Sequence, residues 1–136
     1  MAALNANKLA ITEKTAAERT AKTALTAATT ALTTATKKYE KSIANYNSLV
    51  TRLNALQVQL NASLSAYLTA TTAAAKSAKL NQYNNQVKSY NLLLEQAVKA
   101  RTDTLAAQQQ LVPATNAVNA ATVKANAATI ALATEK

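Results

Sequence analysis

The six carboxylates of this chain are the side chains that could most readily take part in catalysis. Two carboxylates that face each other across a cleft could act as a general acid and a general base, as in glycoside hydrolysis. The acids are Glu13, Glu18, Glu40, Glu95, Asp103 and Glu135. An active site would therefore need a fold that brings two of these six together.

The residues that usually accompany catalytic carboxylates are missing. The chain has no His and no Cys, which removes the commonest metal ligands and the usual nucleophile and base pairs. It has no Gly, so neither a phosphate-binding loop nor a dinucleotide fingerprint can be formed. We therefore expect a protein that is not an enzyme, with no catalytic residues, no metal and no cofactor.

The composition predicts an all-α fold in a single domain. Among 136 residues there are 34 Ala and 20 Thr, one Pro and no Gly. Without Gly the chain lacks the usual residue for tight turns and helix C-caps, so it must consist of few, long elements. Ala, Leu, Lys and Gln are strong helix formers. Because Ala buries little surface, a pair of such helices is expected to be marginally stable alone and to self-associate.

Apolar residues recur every seven positions along the first half of the chain, which indicates a coiled coil. Glu18 interrupts this series and is interpreted as a polar layer that sets the register or as an exposed residue near a frayed end. Four of the ten residues three positions later are Ala and two are Leu, and Ile43, Val50 and Leu64 widen the stripe. The series itself is Leu4, Ile11, Glu18, Leu25, Leu32, Tyr39, Tyr46, Leu53, Leu60 and Tyr67.

A second series of the same period follows, displaced by two residues from the first. The displacement predicts a turn between Leu68 and Leu80, at about residues 69–79; the alternative is a turn at Asn84–Asn85, whose residues favour turns. Leu80, Val87 and Leu94 flank the second series. Its members are Tyr83, Tyr90, Ala97, Thr104, Leu111, Val118, Ala125 and Leu132.

Together these patterns predict an elongated antiparallel helical hairpin. Helix 1 covers about residues 4–68 and helix 2 about 80–112. Pro113 removes a hydrogen bond and clashes one turn back, so we expect a kink or a break there, with a short helix at about 114–134. The Thr-rich stretch from Thr29 to Thr36 has weak helix propensity, but the heptads run through it unchanged. The predicted pairing brings Leu60 near Tyr90 and Leu32 near Val118.

The first residues extend beyond the predicted end of helix 2. Leu4, Leu9 and Ile11 then lack a partner within the chain, which predicts an oligomer-docking segment. The start of the chain has no uninterrupted apolar segment of the kind found in secretory signals. No stretch approaches the roughly 18 apolar residues that would span a membrane.

The net charge of +9 raises nucleic acid as a partner. A dedicated nucleic-acid binder collects its basic residues on one face, whereas here they scatter over several heptad positions. The exception is the cluster of Lys37, Lys38 and Lys41. Nucleic acid therefore ranks below self-association. A membrane-surface helix is also disfavoured, because it would need large apolar side chains with Trp or Phe.

Threonines in the first half are spaced eleven residues apart, which returns them to nearly the same helix face. Thr12, Thr23 and Thr34 form one such series, and Thr15 and Thr26 another. In this feature the segment resembles the Ala/Thr-rich helical antifreeze proteins of fish, and the resemblance covers about a quarter of the chain. It implies ice binding as an alternative function.

The favoured expectation is a structural protein that assembles. Abundant Ala, Thr, Asn, Gln and Ser without Cys or Trp is similar to the composition of phage tail and fibre components and of exported helical filament proteins. An Ala-seamed hairpin leaves grooves for neighbours, and neutral faces can pack with little charge repulsion. We therefore expect a subunit of a filament, fibre or bacteriophage particle, in a virion or extracellular assembly, whose partners are other copies of the chain and other structural proteins.

Overall fold

A computed structural model describes residues 2–135 as two α-helices. The first, α1, spans Ala2–Thr69, and the second, α2, spans Ala73–Glu135. The described residues contain no β-strand, and the two helices pack against each other. The predicted all-α fold is therefore confirmed, and the pairing is that of a helical hairpin.

Threonine hydroxyls in the Thr-rich part of α1 bond to backbone carbonyls one turn earlier. In the Thr29–Thr36 stretch, Thr33 donates to the carbonyl of Thr29 at 3.0 Å and Thr36 to that of Leu32 at 2.8 Å. This bond to the preceding turn satisfies the hydroxyl without interrupting the backbone ladder. Helix α1 is accordingly continuous through the stretch.

The turn is shorter than the sequence pattern predicts. Residues 70–72 connect the helices, so residues 73–79 are helical and the predicted turn at 69–79 is wrong for that part. The alternative turn at Asn84–Asn85 is also wrong, because both residues lie within α2. Thr72 caps α2, since its hydroxyl oxygen accepts from the Ala75 amide at 3.1 Å. The absence of large apolar residues at 73–79 reflects the exposed first turns of a helix rather than a loop.

Pro113 lies inside α2, which continues on both sides of it. The predicted break there, with a separate short helix at 114–134, is therefore wrong. Proline removes the amide that would bond to the carbonyl of Gln109. Pro113 and Gln109 are both exposed, so water can satisfy that carbonyl. The flanking residues Leu111 and Ala114 are half-buried against α1, and their packing favours a continuous helix.

The chain divides into two compact units, each built from a segment of both helices. The terminal unit comprises the described parts of residues 1–38 and 107–136, and the turn unit comprises residues 39–106. In the terminal unit, the Lys14 Nζ lies 2.6 Å from the Glu135 Oε1. In the turn unit, the Ser63 hydroxyl donates to the Gln86 Oε1 at 2.6 Å. The bond between Ser63 and Gln86 aligns the two helices to within one residue of the predicted alignment, in which Leu60 lies near Tyr90.

Candidate self-association surface

Three of the six carboxylates form ion pairs with lysines. Besides the Lys14–Glu135 pair, Glu18 lies 3.3 Å from Lys22 Nζ, and Asp103 lies 3.1 Å from Lys99 Nζ, each one helical turn away. The other three, Glu13, Glu40 and Glu95, are exposed. Within residues 2–135 no group of three acidic, His or Cys side chains is arranged to hold a metal ion.

The residues of the two seven-residue series form the predicted seam between the helices. In the terminal unit these seam residues face the partner helix, but few are deeply buried. Leu132 is buried, together with Ala107 and Ala125. Glu18 occupies its seam position half-buried, which fits the polar layer better than an exposed residue. The other predicted seam residues of this unit are half-buried: Leu25, Leu32, Leu111 and Val118.

In the turn unit, the same spacing carries larger side chains and produces a hydrophobic cluster. Leu49 and Leu53 of α1 pack with Ala97 and Ala100 of α2. Tyr46, Tyr90 and Leu93 cover this cluster and are half-buried. The remaining predicted seam residues of this unit are half-buried as well: Tyr39, Leu60, Tyr67 and Tyr83.

A polar pair lies within the seam of the turn unit. Ser63 is buried, and its hydroxyl bonds to the half-buried Gln86. Sequence reasoning missed this pair, although Ser63 occupies a seam position that Leu56 and Leu49 fill one and two heptads earlier. The polar residue at such a position was the available signal, because polar seam residues specify register.

The predicted docking segment at the N-terminus is open to solvent in part. Leu4 and Leu9 are exposed by 55% and 58%, whereas Ile11 is half-buried. Both leucines precede Lys14, the residue that pairs with Glu135 near the end of α2. The structure therefore places them in the part of α1 before that pair.

One edge of the turn unit is polar. An open groove there is lined from both helices by residues that include Asn45 and Arg52 of α1 and Gln96 and Asp103 of α2. All four occupy the heptad position just before the main seam residue, called g. The g positions of the two helices thus share one edge of the seam. The e positions, which come four residues after each main seam residue, share the other edge.

The e edge of the turn unit is mostly aliphatic, with Gln57 and Arg101 as its polar members, and we call it the aliphatic face. Ile43, Val50 and Val87 are half-buried there, at the border of the seam. Sequence reasoning treated Leu64, Leu80 and Leu94 as a widening of the seam, but they are exposed by 39–44%. Neighbouring positions extend the face outward with three more exposed side chains: Leu68, Val98 and Leu105.

The corresponding edge of the terminal unit is polar. Its e positions carry Lys8, Thr15, Lys22, Thr29 and Thr36 on α1, and Gln108, Thr115, Thr122 and Thr129 on α2. Its g edge is instead an open groove lined largely by small side chains of both helices. The groove residues are Ala21, Ala24, Ala28, Ala117, Ala120, Ala121 and Lys124.

Comparison with known proteins does not assign this chain to a family. No protein-family model, curated protein or solved structure matches the chain. Among residues 2–135, neither helix contains a segment apolar and long enough to cross a membrane. The interpretation therefore depends on the two units and their surfaces alone.

Proposed function

We propose that this chain is a non-catalytic structural subunit that assembles with copies of itself, in a filament, a fibre or a bacteriophage particle. The observation that carries the proposal is an imbalance of burial. Among the described residues, seven hydrophobic side chains are buried and four of these are Ala. Thirteen Leu, Val and Ile side chains are instead exposed, by 39–69%.

This imbalance has an energetic consequence. Burying a Leu or Val side chain completely contributes about 1.5–3 kcal/mol, whereas Ala offers only a single methyl group. Two helices that pack mainly through Ala therefore gain little from each other. Covering exposed Leu and Val side chains with another copy would supply hydrophobic burial that the single chain lacks.

The oligomeric state tests the proposal directly. We expect light scattering coupled to size-exclusion chromatography to give a mass above the 14.3 kDa of one chain, rising with concentration. Negative-stain imaging should then show assembled particles or fibres. A chain that remains at 14.3 kDa over the whole accessible concentration range would contradict the proposal.

Ice binding is a second candidate, favoured by the exposure of one threonine series. Thr12, Thr23 and Thr34 are all exposed on α1 within the terminal unit. The hydroxyls of Thr12 and Thr23 bond to the carbonyls one turn earlier, so these side chains are already ordered. A thermal-hysteresis measurement on the protein and on Thr23→Ser decides this candidate, since ice binding predicts hysteresis that the loss of the methyl group reduces. No hysteresis for the unmodified chain would exclude it.

We also propose that α2 bends at Pro113, since a proline in a helix interior clashes with the preceding turn. Replacement Pro113→Ala should raise the free energy of unfolding by up to about 3 kcal/mol, because it restores one backbone hydrogen bond and helix propensity. Urea unfolding followed by circular dichroism measures the change. The matched control is Ala114→Ser, a neighbouring substitution that leaves the backbone amide in place; an equal effect of both variants would contradict the proposal.

A further inference from the structure

We propose that the aliphatic face of the turn unit is the surface through which two copies of the chain associate, which rests on the proposed self-assembly and names its interface. The face lies along one edge of the seam and is formed by both helices, with Gln57 and Arg101 among its aliphatic members. Six of its side chains are exposed Leu or Val, and three half-buried ones join it to the interior. Large apolar patches of this kind on a soluble unit mark sites of association.

The size of the face fits a protein interface. Along α1 it runs from Ile43 to Leu68, which at about 1.5 Å per residue is roughly 39 Å. Two packed helices are about 20 Å wide, so each copy would cover roughly 750 Å² and a pair about 1,500 Å². Stable interfaces bury about 1,200–2,000 Å² in total. A second copy therefore supplies a partner of sufficient size.

The distribution of charge favours another copy of the chain as the occupant. A chain of net charge +9 can approach its own copy most easily through a surface of low charge. Arg101 occupies an e position of the face and Glu40 lies at one end of it, so these two charges offset each other. Lys76 and Lys79 precede Leu80 at the turn end, where the Lys76 Nζ lies 5.5 Å from the centre of the Tyr67 ring. The other basic residues of the turn unit lie away from the face: Arg52 and Lys99 line the polar groove, and Lys41 and Lys88 lie on the outer sides of the helices.

Amide side chains along the two margins of the face suit an identical partner. They are exposed, and each amide can both donate and accept a hydrogen bond. The same amides on a second copy can therefore pair with them without a complementary charge. They are Asn47, Asn54 and Asn61 on α1, and Asn84 and Asn91 on α2.

The same features count against a lipid surface. A helix that lies on an anionic membrane carries Lys or Arg along the margins of its apolar face and commonly inserts Trp or Phe. Here the margins carry Asn, and the chain contains neither Trp nor Phe. A vesicle-binding arm nevertheless belongs in the test, because both occupants would cover aliphatic side chains.

Two leucines on one helix provide a matched pair of variants. Leu94 lies on the aliphatic face and is 44% exposed, while Leu92 lies on the outer side of α2 and is 56% exposed. Leu94→Glu and Leu92→Glu change the net charge equally and bury nothing new in the single chain. Sedimentation equilibrium should show Leu94→Glu weakening association at least tenfold and Leu92→Glu leaving it within twofold.

A second matched pair protects the test against a folding defect. Val98, on the aliphatic face, is 60% exposed and Val58, on the outer side of α1, is 69% exposed. Circular dichroism verifies that Val98→Glu and Val58→Glu retain their helix content. The expected result is again a loss of association for the variant on the face, Val98→Glu, and none for Val58→Glu.

Cysteine cross-linking tests whether the partner on this face is a second copy. The chain has no Cys, so single-cysteine variants react at one place. Asn54 lies on the α1 margin of the face, about midway along its length, whereas Ser48 lies on the outer side of α1; both are exposed. With a short bis-maleimide, Asn54→Cys should give cross-linked dimers and Ser48→Cys should not.

The outcomes separate the interface from the assembly itself. If the unmodified chain is monomeric, the proposed self-assembly fails together with its interface. If it associates but all four Glu variants weaken association alike, assembly stands and this interface is wrong. If Leu94→Glu abolishes flotation with vesicles of phosphatidylserine and phosphatidylcholine while association is unchanged, the face binds lipid and the proposal is overturned.

Discussion

The terminal unit and the turn unit share one heptad spacing but differ in the size of the side chains that fill it. In the terminal unit the positions three residues after the main seam carry Asn7 and Lys14 and then Ala21, Ala28 and Ala35 on α1. In the turn unit the equivalent positions include Leu49 and Leu56. Spacing alone therefore determines which side chains face the partner helix, and their volume determines how much burial results.

The edges of the two seams differ in the same direction. The e edge carries Thr and Lys in the terminal unit and Ile, Val and Leu in the turn unit. The turn unit thus combines the larger hydrophobic cluster with the larger exposed aliphatic surface. Stability and association should consequently depend mainly on the turn unit.

Truncating a seam leucine should cost most in the turn unit. Leu53 is buried in the hydrophobic cluster, whereas Leu25 of the terminal unit is half-buried. We expect Leu53→Ala to lower the free energy of unfolding by about 3 kcal/mol and Leu25→Ala by about 1–2 kcal/mol. Urea unfolding at one fixed protein concentration measures both, since association adds to stability. Equal losses would remove the distinction between the units.

Enlarging a seam alanine should reveal how closely the helices approach in the terminal unit. Ala125 is 5% exposed, and Ala127 on the same helix is exposed. A leucine at Ala125 overfills the seam, so Ala125→Leu should destabilise the protein by about 1–3 kcal/mol. Ala127→Leu is the control and should change stability by less than about 0.5 kcal/mol. Thermal unfolding distinguishes them; a stabilising Ala125→Leu would show that the seam has unfilled space.

Replacing Ser63 and Gln86 should show how much their hydrogen bond contributes to the stability of the turn unit. Ser63→Ala leaves the Gln86 side chain without its partner in a half-buried position and should cost about 1 kcal/mol. The double variant Ser63→Ala with Gln86→Leu should recover that loss, because both polar groups are then replaced by apolar ones. Ser65→Ala, at an exposed position on α1, is the control. A double variant no more stable than Ser63→Ala would show that the loss does not come from an unpaired Gln86.

Ion pairs should contribute least to the free energy of unfolding. Glu135→Gln breaks the pair between α1 and α2 and should cost about 0.5–1 kcal/mol at low salt. Asp103→Asn breaks an exposed pair within one helix of the turn unit and should cost about 0.3–0.5 kcal/mol. Both differences should shrink in 1 M salt, where the Debye length is about 3 Å. A loss for Glu135→Gln that persists in high salt would indicate an effect other than screened charge.

Much of the fold could be predicted from the sequence, and the exceptions are informative. The absence of Gly and the repeat of large apolar residues indicated two long helices. The register shift between Tyr67 and Tyr83 indicated a turn, but the pattern could not give its length, since exposed helical turns and loops are both poor in large apolar residues. The three residues 70–72 suffice because Thr72 caps the next helix.

The sequence by itself determined the helices and the side of each that faces the other, because a period of seven residues defines a stripe on any α-helix. Tertiary structure alone decided that α2 continues through Pro113, with Leu111 and Ala114 half-buried on either side of it. It also decided which apolar side chains remain exposed. Burial depends on the volume of the residues that face a side chain from the other helix, and the apolar stripe of a single helix does not show that volume.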